Sequence, residues 1–169
     1  MINLEELMRF LIKAKLHTYA RDGAEVPPER VERPGFKELE FSEGDWNYRD
    51  SYTGFYLAPG QEIVRFQRNP VWAMAYNGGM TAKHHGNKDF AKQTFRFLKE
   101  ALQHVQAARP FRGPDHLQLG DYAYHDESTG TLTHFRGAET IFFCHEIVFV
   151  QDYIGGLILP KERLTASRA

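Results

Sequence analysis

A chain of 169 residues, 42% hydrophobic and 25% charged, has enough material for a single domain with a real core and too little charge bias for disorder. Its formal charge of −1, from 21 basic and 22 acidic residues, gives no electrostatic drive toward nucleic acid, so no nucleic-acid partner is expected for this chain alone. The one cysteine, Cys144, excludes an intramolecular disulfide and a zinc knuckle, and no run approaches the roughly eighteen apolar residues of a membrane span.

The opening segment MINLEELMRFLIKAK has acidic residues inside its apolar stretch and no small-residue cleavage site, so it reads as a helix and not a signal peptide. A soluble, cytoplasmic protein with no membrane partner is expected. Asn3 followed by Glu6 resembles a capping box, and Leu4, Leu7, Met8, Leu11 and Ala14 recur at helical spacing, which predicts a first helix over about 4–19. Residues 20–36 carry Gly23, Pro27, Pro28, Pro34 and Gly35 and read as a long loop.

From Lys37 the period changes to two. Leu39 and Phe41, then Trp46, Tyr48, Asp50 and Tyr52, alternate with polar neighbours; Glu62, Val64 and Phe66 make the next strand, and after a turn at Arg68–Pro70 the chain returns over 71–76. This is a three-stranded meander. A glycine-rich connection leads to a second helix over about 89–107, with Asn87 or Asp89 as cap and Phe90, Thr94, Phe97, Leu98, Ala101 and Val105 as its apolar stripe. Strands are then expected at 122–127, 131–135, 139–144 and 147–153, the last two apolar enough to be buried on both faces.

The segment GDWNYRDSYTG at 44–54 returns as GDYAYHDESTG at 120–130, sharing Gly44/Gly120, Asp45/Asp121, Tyr48/Tyr124, Asp50/Asp126, Thr53/Thr129 and Gly54/Gly130. With a one-residue insertion the match continues through Glu62/Glu139, Val64/Ile141, Phe66/Phe143, Trp72/Phe149 and Tyr76/Tyr153. The helices echo each other as well, Met8-Arg9-Phe10-Leu11 against Phe95-Arg96-Phe97-Leu98. The predicted fold is therefore α+β, one domain made of duplicated αβββ units at about 1–80 and 88–159. Their sheets join edge to edge about a pseudo-twofold axis into a mostly antiparallel sheet, with two helices on one face and a groove on the other. Such a junction removes two exposed strand edges.

The strings GDWNYRDSYTG and PVWAMAYNGG and the RPFRGP linker resemble a bacterial family of uncharacterised domains, sometimes fused behind a helix-turn-helix DNA-binding segment. The resemblance spans nearly the whole chain. It implies no activity or catalytic residue; its fused members imply sensing linked to transcription. This chain differs from them by starting directly at the first helix.

Tyr48, Asp50 and Tyr52 share one strand face, and the parity of Glu62 lets it face them. Two carboxylates among tyrosines suit a cationic or polyhydroxylated ligand, or an acid–base pair if burial separates their pKa values. The alternative is a set of cross-strand pairs among Arg49, Asp50 and Glu62 that only stabilises the ladder. Asp126 and Glu139 repeat the pattern. Trp72 and Tyr76, with Trp46, are candidate aromatic walls for a ligand, or core filler. Among the histidines His125 is the one placed to join Asp126 or Glu139 around a divalent ion, but no signature spacing is present, and neither a metal nor a cofactor is assigned.

Cys144, in the apolar run FFCHEIV, reads as a buried inert thiol, since a pair with His145 would require a turn there. Ser51 lacks the glycines of a nucleophile elbow, and no phosphate loop is present. The resulting reading is a domain that binds a small molecule or peptide in a groove between its units. The candidate site is Tyr48, Arg49, Asp50, Tyr52, Glu62, Trp72 and Tyr76, in the half whose charged and aromatic set is fuller. Two alternatives stand beside it: a hydrolase- or lyase-type enzyme using the paired carboxylates, and a homodimeric interaction module without ligand.

Overall fold

Asn3 starts the first helix: its side chain accepts hydrogen bonds from the backbone N–H groups of Glu5 (3.0 Å) and Glu6 (3.3 Å), two of the donors a helix N-terminus leaves without partners. Asn87 does the same for the second helix through the N–H of Phe90 (3.2 Å). The computed structural model describes residues 2–21 and 23–160. The helices are α1 (Leu4–His17) and α2 (Lys88–Leu102), both shorter than their apolar spacing predicts. The chain leaves α1 through a 3₁₀ turn at Tyr19–Arg21, and it leaves α2 ahead of the proline- and glycine-containing segment that must fold back over the sheet.

Eight strands follow a symmetric order in one antiparallel sheet, β1-β2-β3-β4-β8-β7-β6-β5. They are β1 (Lys37–Glu43), β2 (Trp46–Tyr52), β3 (Gly60–Phe66), β4 (Asn69–Met80), β5 (His116–Leu119), β6 (Tyr122–Thr131), β7 (His134–Phe143) and β8 (Glu146–Leu157). Each helix thus precedes a four-stranded meander, and the predicted three-stranded unit is corrected. The alternation from Leu39 to Tyr52 is not one strand but a hairpin turning at Gly44–Asp45, where Gly44 takes the left-handed φ of 57°. In the second half, the short β5 lies in a segment too polar to read as a strand. The expected strands at 131–135 and 139–144 are one continuous β7. The strands β7 and β8 are buried on one face only, because α1 and α2 pack on the same side of the sheet.

The β7–β8 turn falls on Cys144–His145, both at positive φ (47° and 68°), as do Gln67 and Arg68 between β3 and β4 (49° and 68°). Two successive positive φ values match the right-handed twist of a tight hairpin, even without glycine. Cys144 is consequently exposed, not buried as its apolar surroundings predict.

The two meanders join through β4 and β8, whose ladder runs from Trp72 opposite Leu157 to Met80 opposite Phe149 and sets Tyr76 opposite Tyr153. Under α1 the core contains Leu7, Phe10, Leu11, Tyr48, Trp72 and Phe135; under α2 it contains Phe97, Leu98, Tyr124, Ile141 and Phe149. The 53–59 connection folds back onto the end of β4, where the N–H of Met80 donates to the carbonyl of Tyr56 (2.7 Å). That approach requires Gly79: its φ is 148°, and a Cβ there would meet the Tyr56 oxygen at 2.0 Å. Gly79→Ala is expected to lower stability by about 1–3 kcal/mol from backbone strain alone, measured by urea unfolding.

Candidate functional site

Register decides which side chains meet. Asp50 pairs with Glu62 across β2–β3, Glu62 with Met74 across β3–β4, and Tyr76 with Tyr153 across β4–β8, so Tyr48, Asp50, Glu62, Trp72 and Tyr76 all point to the helix-covered face. The second half repeats the arrangement with Asp126 opposite Glu139. Each tyrosine lies across a glycine of the neighbouring strand, Tyr76 over Gly60 and Tyr153 over Gly137, and its hydroxyl donates to an aspartate: Tyr76 to Asp50 (2.8 Å) and Tyr153 to Asp126 (2.8 Å).

Four carboxylates on the covered face need compensating charge, and three cations deliver it. Lys15 of α1 is buried and bonded to Glu62. Arg112, from the α2–β5 connection, donates to Glu139 through Nη2 (2.6 Å) and Nε (3.2 Å) and lies 3.7 Å from Glu62, so one guanidinium spans both halves of the sheet. Gln151 and Tyr124 complete the shell of Glu139 (2.8 and 2.7 Å). Arg109 donates to Asp126 Oδ2 (2.6 Å).

Asp50 is the exception: among the described residues it makes no ion pair, and its one hydrogen bond is from Tyr76. Burial, followed by the neighbouring charge of Glu62, pushes its carboxyl up to about 7. Burial also lifts Asp126, to about 6, against the opposing hydrogen bond from Tyr153. Burial draws Lys15 below the usual lysine range although Glu62 opposes it, and it acts against Arg112 too, where Glu139 outweighs it and holds the guanidinium charged.

Asp50 opens onto a cavity of about 230 Å³ between the halves, lined from the first by Tyr19, Tyr52, Phe55 and Tyr76 and from the second by Phe95, Lys99, Arg112, Phe149 and Gln151. The hydroxyls of Tyr19 and Tyr52 make no hydrogen bond among the described residues. A wider, open depression of about 1040 Å³ reaches from Arg109 and Asp126 to Ala75, Arg136 and Asp152, and the buried carboxylate in it, Asp126, is already held by Arg109.

Of the sequence candidates, Asp50, Tyr52 and Tyr76 line the cavity, while Tyr48 and Glu62 lie deeper beside Lys15 and Arg112. Trp72 is core: it stacks on Phe135 at 5.7 Å and donates its indole N–H to the Leu132 carbonyl (3.2 Å). Trp46 likewise packs on Phe10. Arg49 is separated from the others by strand parity. It sits on the opposite face, bonded to the fully buried Glu38 and to Glu40, under the 23–36 segment whose backbone N–H groups at Glu32 and Arg33 also donate to Glu38. His125 shares that opposite face and pairs with His116 (3.0 Å), away from Asp126 and Glu139; no group of three or more metal-ligating side chains occurs among the described residues.

Sequence reasoning missed Lys15, Arg109, Arg112 and Gln151. Lys15 was findable, because it follows Leu11 by four and so falls on the apolar stripe. The two arginines belong to ARPFRGP, whose residues signal only a break.

A family model of domains of unknown function matches residues 50–158. The chain belongs to that family, DUF5680. The matched segment runs from Asp50 through Glu62, Tyr76, Arg112 and Glu139 to Gln151, and leaves Lys15 and Tyr19 outside it. No curated protein and no solved structure matches the chain. No described helix is long and apolar enough to cross a membrane.

Two outcomes follow from the buried charges. Asp50 binds its proton more tightly folded than unfolded, so its contribution to stability is full below about pH 4 and is lost as pH rises toward about 7. Asp50→Asn should remove that loss, a gain over wild type of roughly 4 kcal/mol at pH 8 and little at pH 4, read by denaturant unfolding at each pH. Arg112→Met leaves Glu139 and Glu62 short of a cation and should cost about 3–5 kcal/mol, partly recovered by adding Glu139→Gln.

Proposed function

We propose that this domain binds a small organic molecule in the cavity between its two halves, with Asp50, Tyr52 and Tyr76 as polar contacts and Phe55, Phe95 and Phe149 as apolar walls. The observation that carries the reading is Asp50: a buried carboxyl facing a cavity, without a cation partner among the described residues. Buried charges in proteins are normally paired, and this chain pairs the other three on the same face. Aromatic walls around a few convergent polar groups are the usual composition of a ligand pocket. A volume of about 230 Å³ favours a small molecule over a peptide. The sensing role implied by the fused relatives belongs to this proposal, with binding as its input.

A second reading, proton transfer by Asp50, is favoured by its titration near neutrality, where a general acid or base works best. Its mark would be turnover of a bound compound lost in Asp50→Asn with binding retained.

The cavity is tested by a thermal-shift screen of metabolites against wild type and Ala58→Phe, a substitution that fills the cavity from its rim. A compound at 100 times its dissociation constant should stabilise wild type by about 2.7 kcal/mol and leave Ala58→Phe unmoved. Equal shifts in both proteins would place binding elsewhere and defeat the proposal.

A further inference from the structure

The two halves of the sheet present the same aspartate in the same register, and only one of them is neutralised. Asp126 accepts the Tyr153 hydroxyl on Oδ1 and the Arg109 guanidinium on Oδ2. Asp50 accepts the Tyr76 hydroxyl on Oδ1, and among the described residues no cation bonds its Oδ2 as Arg109 bonds that of Asp126. The cause is the path of the chain. Residues 103–115 cross the helix-covered face and deliver Arg109 and Arg112 to it, whereas residues 23–36 lie against the opposite face and β1, where Arg33 reaches Gln61 and its backbone holds Glu38.

We infer that the cavity takes a small organic cation, an ammonium or guanidinium compound, whose charged head docks on Asp50 in the position that Arg109 occupies on Asp126. This rests on the proposed pocket. The groups that face Asp50 from every packed element are otherwise committed: Lys15 of α1 to Glu62, Arg112 to Glu139 and Glu62, and the Tyr76 hydroxyl to Asp50 itself. At the rim Lys37 is bonded to Glu25 (2.8 Å), and Lys99 lies over the Tyr19 ring at 5.6 Å. The two glutamates therefore balance Lys15 and Arg112, and Asp50 is the charge left over. The aromatic residues Tyr52, Phe55 and Phe95 line the cavity, and the attraction of a cation to aromatic rings strengthens with desolvation. Docking a cation holds Asp50 ionised, so affinity rises with pH up to about 7 and then levels off.

Benzylamine, benzyl alcohol and benzoate share one frame and differ in charge, and they are the probes, titrated by calorimetry into wild type, Asp50→Asn and Asp126→Asn. Benzylamine should bind wild type and Asp126→Asn, weaken on the order of tenfold or more in Asp50→Asn, and exceed both analogues. In wild type, where no substitution can disturb folding, the carboxyl carbon resonance of Asp50 should move to its ionised position as benzylamine is added at pH 6. Tighter binding of benzyl alcohol or benzoate would overturn the cation inference while leaving the pocket standing. Undiminished benzylamine binding by Asp50→Asn, an unmoved Asp50 resonance, or no binding of any probe would overturn it as well.

Discussion

The interior of this protein is organised around one guanidinium. Arg112 is buried and bridges the two meanders, contacting Glu139 of β7 and Glu62 of β3. Removing such an ion from water costs several kcal/mol, and only close carboxylates with satisfied lone pairs repay it. Tyr124, Gln151 and Lys15 complete that satisfaction. The register of six central strands, the position of α1 and the path of the α2–β5 connection must all agree for these groups to meet. A one-residue slip of β3 or β7 would send Glu62 or Glu139 to the opposite face and strand the arginine.

Symmetry and its breaking divide the work. Two meanders joined through β4 and β8 leave only β1 and the four-residue β5 as sheet edges, and β1 is partly covered by a bridge from Glu25 to Leu39. On this near-symmetric frame the connections differ. One takes its proline turns against the outer face and buries Glu38 with Arg49; the other brings Phe111, Arg109 and Arg112 onto the covered face, where Phe111 stacks on Phe135 at 3.9 Å. The frame is the same on both sides and the charge balance is not, and the imbalance falls on Asp50 beside the cavity.

Much of this was legible in the chain. Period-two alternation placed Tyr48, Asp50 and Glu62 on one face with no knowledge of the fold, because side-chain direction in a strand is a local property. The repeat at 44–54 and 120–130 foretold that Asp126 and Glu139 would mirror them. Arg49 was wrongly joined to its neighbours, an error that strict use of the same parity would have avoided. Trp72 could not be sorted between wall and core by sequence, since an aromatic on a covered strand serves either purpose. Cys144 was misplaced because a turn built from two non-glycine residues carries no compositional mark.

By itself the sequence determined the α+β class, the strand faces and the residue types available on them, all consequences of local periodicity and composition. Only the tertiary structure decided which charges neutralise which. Lys15, Arg109, Arg112 and Gln151 lie 12 to 50 positions from the carboxylates they serve. Whether a buried aspartate keeps a partner or is left to a ligand depends on where the connecting segments cross the sheet, and local propensity does not encode that path.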